Sequence, residues 1–357
     1  MLRLRPYANA VMKRIFGAPT FDEAATSVSV IEPEMEMRQP ASVSLEGEFE
    51  RIRNFAPGDT LEAAKLKAFG GSVRKRPLKR YEFKDMLVFP TGLSTSRATY
   101  MRDASLPHRL LLTQDIPTLT KALSTHTPVS IRYFGHWLSD SCPTALFCEE
   151  DEALLMTHRP AWPHAYDYCP LFDIAPKDAG VFHVEKLTWM DDVGQGPSRM
   201  ERCQRLRRRL RANVKPADLK TPPPSRIYLR RGATGMNRTI ANEEALIDRL
   251  SKQGFVTVDM QHMSVPEIMR AAIDADICVT MDGSHQNHAF YFLRDHGLLC
   301  MVQPADRFSL GGFEMGAGAG YATAFTIADP SPDGYVVDAD KILRTIDLWQ
   351  DGKAAQI

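Results

Sequence analysis

No stretch of this 357-residue sequence approaches the ~20 consecutive apolar residues that a membrane-spanning helix requires. The opening residues, MLRLRPYANAVMKRIF, are basic but lack the continuous apolar segment of a secretory signal. An excess of one charge is missing too. The 44 basic and 44 acidic residues cancel, so no global field points to nucleic acid or to a charged surface. The six cysteines (Cys142, Cys148, Cys169, Cys203, Cys278, Cys300) form no CxxC pair and no ligand-like spacing with histidine. That excludes a recognisable zinc framework and points to a reducing compartment. Glycines cluster over 311–320, but their spacing fits neither a phosphate-binding P-loop nor a dinucleotide fingerprint, and the stretch reads as a mobile loop. These absences predict a cytoplasmic chain; peripheral contact with the inner membrane stays open beside that reading.

What is present is an ordinary globular composition, 44% hydrophobic and 25% charged. A chain of this length predicts two domains. Residues 1–84 read as an irregular extension, because 32–57 is rich in Glu, Pro, Ser and Arg without clear periodicity. Residues 85–215 read as an α/β domain with strands at 86–89, 109–112, 129–133, 153–156 and 181–184. The proline-rich stretch 215–224 reads as the linker. A second α/β domain follows over 225–335, and 336–357 forms a closing helix and tail.

The segment 225–303 is the clearest in the chain. Short apolar strands at 227–230, 255–259, 276–281 and 298–302 alternate with helical patterns, which predicts a parallel sheet. Asn242 reads as a helix cap, Glu243 and Glu244 suit the positive end of that helix, and Ser264 with Glu267 forms a capping box. A third helix is expected to run from Ser284 to Gly297. Parallel sheets bind ligands beyond the carboxyl ends of their strands. Here those ends carry Arg230, Arg231 and Arg238, then His262, then Asp282, Gly283, Ser284, His285 and Asn287. Arginines suit multidentate phosphate binding, and a helix opening near His285 adds backbone donors. Arg230 and Arg231 are consecutive, so one of them must point away from the crevice. Glu243 could pair with Arg238 as an ordinary surface contact.

Other candidates each have a plain structural counterpart. His136 and Asp140 are four apart and share a helical face, which serves a catalytic couple or a surface hydrogen bond. Trp162, His164, Tyr166 and Tyr168 read as an aromatic loop that stacks on a sugar or base, or else packs on its own domain. The seven arginines between 199 and 211 read as a solvated helix face, or as a contact for phosphates or anionic lipid. Asp274-Ala275-Asp276 has the form of a metal-binding Asp-x-Asp, but it lies on the amino side of its strand, the wrong end of a parallel sheet.

The run Tyr228-Leu229-Arg230-Arg231, then Arg238-x-x-x-Asn242-Glu243, Gly254-Phe255 and Ala275-Asp276-Ile277, resembles glycosyltransferase family 61. So does Gly135-His136-Trp137 with Asp140 and Pro143, and the likeness spans roughly 85–330. The resemblance implies a GT-B-like α/β architecture, two Rossmann-like domains facing across a cleft. It implies an inverting, metal-independent transfer from a nucleotide-sugar, with UDP-sugars such as UDP-GlcNAc or UDP-xylose used by known members, to a glycan or lipid-linked acceptor. Bacterial relatives act on capsular or other surface polysaccharides. The donor is a substrate, and no cofactor is implied. Residues 85–215 would be the acceptor side, with His136 or Asp140 as the base. Residues 225–335 would bind the donor through Arg230, Arg231, Arg238, Asn242, Glu243, Asp282, Gly283, Ser284 and His285. One position departs from the family: Asp282-Gly283-Ser284 stands where members have His-Gly-Ala. A carboxylate there repels a diphosphate unless an arginine neutralises it. The alternatives are a noncatalytic scaffold of the same shape in polysaccharide assembly, or a nucleotide-sugar epimerase.

Overall fold

The structure, a computed structural model, describes residues 4–100, 115–157, 162–177, 180–214, 224–232 and 238–354. The strand expected at 109–112 and nearly all of the linker at 215–224 lie outside the described residues. The chain forms two compact units, one of residues 1–35 and 75–202, the other of 36–74 and 203–357.

The first unit opens with helix α1 (Arg5–Phe16). It is built on strands β1 (Ser27–Glu32), β2 (Leu78–Phe89), β3 (Gly92–Ser94), β4 (Thr99–Tyr100), β5 (Thr118–Ser124), β6 (Ala153–Leu155) and β7 (Phe182–Asp191). The sheet runs β4-β3-β2-β7-β5-β6, with β1 paired to β2. It is mixed: β7, β5 and β6 are parallel, whereas β2 meets β7 antiparallel. The doubly wound parallel sheet expected of a Rossmann-like half is therefore absent among the described residues of this unit. Tyr81 and Phe83 project from one face of β2, opposite Trp189 and Leu187 of β7, and Phe21 packs against them. Three helices follow: α2, made of Phe134–His136, a wider π turn over Trp137–Ser141, and Cys142–Ala145; α3 (Pro163–Leu171); and α4 (Pro197–Asn213), which begins in this unit. Residues 129–133 form a turn rather than a strand, and the aromatic stretch expected as a loop is α3.

The second unit has strands β8 (Arg226–Arg230), β9 (Phe255–Asp259), β10 (Ala275–Met281), β11 (Leu293–Pro304), β12 (Ala322–Ser331) and β13 (Gly334–Val336), in the order β9-β8-β10-β11-β12-β13. All but β13 are parallel. The order reverses between β8 and β10, which makes their carboxyl ends the topological switch point where such sheets hold ligands. Helices α5 (Glu243–Ser251), α6 (Val265–Ala272), α7 (Gly311–Ala319) and α8 (Ala339–Ala354) accompany the strands. The capping box at Ser264 and Glu267 forms, and Val265, Ile268, Met269 and Ala272 are buried. Each of the three larger side chains contributes about 1.5–3 kcal/mol by leaving water. Cys278 and Cys300 are buried core residues.

Three expectations fail here. The extension 1–84 is not irregular: it holds α1, β1, a helix at Leu61–Phe69, a strand pair at Met35–Gln39 and Gly71–Lys75, and the start of β2. Within it, 36–74 belongs to the second unit, where Val43 bridges Ala324 and Arg53 donates to the Ala305 carbonyl. The helix expected over 284–297 is a 3-10 turn at Ser284–His288 and one helical turn at Ala289–Phe292, after which β11 begins. Residues 311–320, expected as a mobile loop, contain α7.

Candidate functional site

In the second unit, β8 delivers Arg230 and Arg231 side by side, and they part as their alternation requires. Arg230 Nε donates to Glu243 Oε2 at 3.0 Å and its Nη2 to Glu244 Oε1 at 2.7 Å, while the Tyr228 hydroxyl donates to Glu243 at 2.8 Å. Glu243 thus holds Arg230, not Arg238, and both glutamates sit in the first turn of α5, where the helix field favours them. Arg231 turns inward and is buried; its Nη1 donates to the Asp282 carbonyl at 2.7 Å. Arg238 Nη1 donates to the same carbonyl at 2.7 Å and to the Asp282 carboxylate.

Asp282 is itself buried. Burial raises its carboxyl above the ordinary value, and the charges of Arg238, Arg231 and Arg307 oppose that rise. Burial, reinforced by Arg238, pushes Arg231 down to about 10, which leaves it charged at neutral pH. The carboxylate at the departing position is therefore neutralised by arginine, and the cluster keeps a positive excess.

His285 lies behind the arginines. Burial, then the charge of Arg231, lowers its pKa well below the ordinary value and keeps the ring neutral. The Thr280 hydroxyl gives its proton to the Leu229 carbonyl at 2.9 Å, so His285 Nε2, 2.7 Å from that hydroxyl, is the donor in their bond. Gly283 sits at φ +152°, and a Cβ there would lie 2.5 Å from Arg231 Nη1 and 3.1 Å from His285 Nδ1. Only glycine lets these groups approach so closely.

A cavity of ≈ 330 Å³ opens beside this cluster, lined by Arg230, Arg231, Arg238 and Glu243 together with Asp259, Gln261 and His262 from the exit of β9. Its size suits a nucleotide-sized ligand. Arg230, Arg231, Arg238 and Glu243 therefore meet at one pocket, whereas Asp282, Gly283 and His285 support it from behind. Asn242 does neither. Its amide spans the backbone of Val337, at 2.8 and 2.9 Å, rather than capping α5. His285 and Asn287 are buried within the short 3-10 turn, which is too brief to supply the expected helix field. Sequence reading passed over Asp259, Gln261 and Arg307; only Asp259, ending a strand of the parallel sheet, carried a positional signal. Asp274 pairs with Arg211, and Asp276 with Arg294, at the amino end of β10.

In the first unit, α2 carries His136 and Asp140. His136 Nδ1 lies 2.9 Å from Asp140 Oδ2. Asp140 also accepts from the Ser139 hydroxyl at 3.0 Å and from Arg199 Nη2. Burial would raise the Asp140 carboxyl, but Arg199, His136 and Ser139 override it and hold the group below the usual range. An ionised Asp140 makes Nδ1 the protonated nitrogen, which leaves Nε2 as the basic one. The His136 side chain is 35% exposed, enough to reach a ligand.

The local sequence explains why Arg199 comes here. Pro143 has no N–H to give the helix, which frees a carbonyl one turn back; the Ser139 carbonyl accepts instead from Arg199 Nη2. Arg199 Nη1 reaches the Asp192 carbonyl at 3.1 Å, and Arg202 pairs with the Asp192 carboxylate. Arg199, Arg202 and Arg207 are buried, the last paired with Asp295, so these three are neither a solvated face nor a lipid contact. Phe134, two residues before His136, gathers the rings of Trp137, Trp162, His164 and Tyr168 at centroid distances of 6.1–6.5 Å. The aromatic stretch thus packs on its own unit.

No curated protein matches the chain. Among solved structures, three single-site mutants of a flavo di-iron protein from Thermotoga maritima match at 12–13% identity with TM-scores of 0.26–0.27. They cover 66–67% of this chain, which spans only 55–56% of theirs; at these scores the likeness assigns neither fold nor activity. The family model Glycosyltransferase 61 matches residues 134–299, a segment that begins at the first residue of α2 and takes in His136, Asp140, Arg231, Arg238 and Asp282. Residues 134–299 of the chain are thus similar to glycosyltransferase family 61.

Proposed function

We propose that the chain is an inverting glycosyltransferase that moves a sugar from a nucleotide-sugar, a UDP-sugar first, to a glycan or lipid-linked acceptor in polysaccharide assembly. The observation that carries this reading is the arginine-lined pocket at the switch point of the second unit. Arg231 is buried and Arg238 half-buried, and both are fixed by the Asp282 backbone, which suits a diphosphate without requiring a metal. In the proposed step the acceptor oxygen attacks the anomeric carbon and its proton passes to His136 Nε2. The bond to the diphosphate breaks with both electrons leaving on oxygen. Asp140 orients His136 and stabilises the imidazolium that forms. The proposal assigns the donor to the second unit and proton abstraction to the first, the division of labour of a GT-B-like enzyme.

Thermal-shift and calorimetric titration against UDP-, GDP- and CMP-sugars tests it. Stabilisation by a UDP-sugar with slow release of free sugar is the expected result. Absence of any nucleotide binding would leave a scaffold, and interconversion of the sugar without release would make the protein an epimerase.

A further inference from the structure

Helix α1 is inside out. A helix on a globular surface turns its apolar stripe inward and its polar residues to water. Here the buried positions are Pro6 and Asn9, and the Asn9 amide donates to Ser94 Oγ at 2.9 Å and to the Thr95 carbonyl at 3.0 Å. Arg5 fastens the start of the helix, donating to the Asp85 carbonyl at 2.7 Å and to its carboxylate at 3.0 Å. Tyr7 packs inward on Leu87 and Phe89, but the other large apolar residues face water: Leu4 is 58% exposed, Val11 58%, Met12 47%, Ile15 63% and Phe16 75%. At 100° per residue they occupy one arc of about 140°. Lys13 and Arg14, both exposed, stand about 60° beyond its two edges, and the first turn holds no acid. An apolar arc bracketed by cations is the pattern of a helix that lies in a membrane interface.

We propose that the outward face of α1 docks on an anionic bilayer surface. Polar anchors hold the helix to the body, so its apolar side is free to enter the headgroup boundary. Because the whole chain is neutral, the local pair of cations supplies the preference for anionic lipid. No helix among the described residues is long and apolar enough to cross a membrane, so the contact is one of lying on the surface. It stands apart from the sugar-transfer reading, since no residue of the candidate sites takes part.

Sedimentation of the full chain with phosphatidylcholine vesicles, with and without phosphatidylglycerol, tests the proposal. The chain should pellet with the phosphatidylglycerol vesicles. The pair Ile15→Glu and Phe16→Glu should abolish pelleting, and Lys13→Gln with Arg14→Gln should weaken it roughly 25-fold, both with an unchanged melting temperature. Failure of the native chain to pellet, or pelleting that survives the glutamate pair, would overturn it. So would a dimer in solution that Phe16→Glu dissociates, because the face would then belong to a second copy.

Discussion

Arg238 donates through one nitrogen to both the backbone carbonyl and the side-chain carboxylate of Asp282. A carboxylate that would repel a diphosphate thereby becomes the clip that fixes the arginine proposed to bind one. Arg238→Ala should remove the ion-pair partner of the buried Asp282 carboxylate, leaving it the Gln286 amide, and cost about 3–5 kcal/mol of stability. It should also weaken UDP binding by roughly tenfold or more. Adding Asp282→Asn should recover most of the stability and little of the affinity. Urea denaturation and calorimetry on the single and double variants separate the two effects.

Gly283 has no room for a methyl group. Gly283→Ala places a carbon against Arg231 at a backbone angle L-residues avoid, and should cost on the order of 1–3 kcal/mol. Displacing Arg231 should also lower nucleotide affinity. A melting curve with and without UDP measures both.

His136→Ala should lower kcat roughly 10²–10⁴-fold with the donor Kd unchanged. Asp140→Asn should lower kcat as well, and it should additionally destabilise the fold because buried Arg199 loses one of its two carboxylate partners and keeps only Asp192. Turnover and donor titration for each variant check the split. Near-normal turnover in both would remove the base from the first unit.

His126 makes stability depend on pH. It is 2% exposed, its Nδ1 lies 2.8 Å from Ser124 Oγ, and its buried Nε2 has no partner. Burial pushes its pKa down from 6.5 to about 4. Between those values the unfolded chain binds a proton that the folded chain refuses. The stabilisation is therefore present above pH ~6.5 and is lost as pH falls toward ~4, on the order of 3 kcal/mol in all. His126→Gln should flatten that slope in urea denaturation at pH 7.5 and pH 5.

Much of the second unit was legible because its signals are local. Strand β9 falls where alternation and flanking glycine put it, and the box at Ser264 and Glu267 needs only four residues. What sequence missed is held by distant partners. Residues 36–74 read as irregular because Val43 bonds to Thr323 and Phe325, and no periodicity announces a pairing across 280 residues. Asn242 had the composition of a cap, yet Val337, 95 residues on, claims its amide. His136 and Asp140 were visible as a pair four apart. The arginine that fixes them reads in sequence as part of a solvated face or an anion contact, because nothing local ties Arg199 to Pro143.

The central claim is that the arginines at the β8 exit bind a nucleotide diphosphate. Titration of UDP into the native chain and into Arg231→Ala, at two salt concentrations, tests it most directly. Binding by the native chain that weakens with salt and falls at least tenfold in the variant is the predicted result. Equal UDP affinity in the two proteins, or no binding to either, would contradict it.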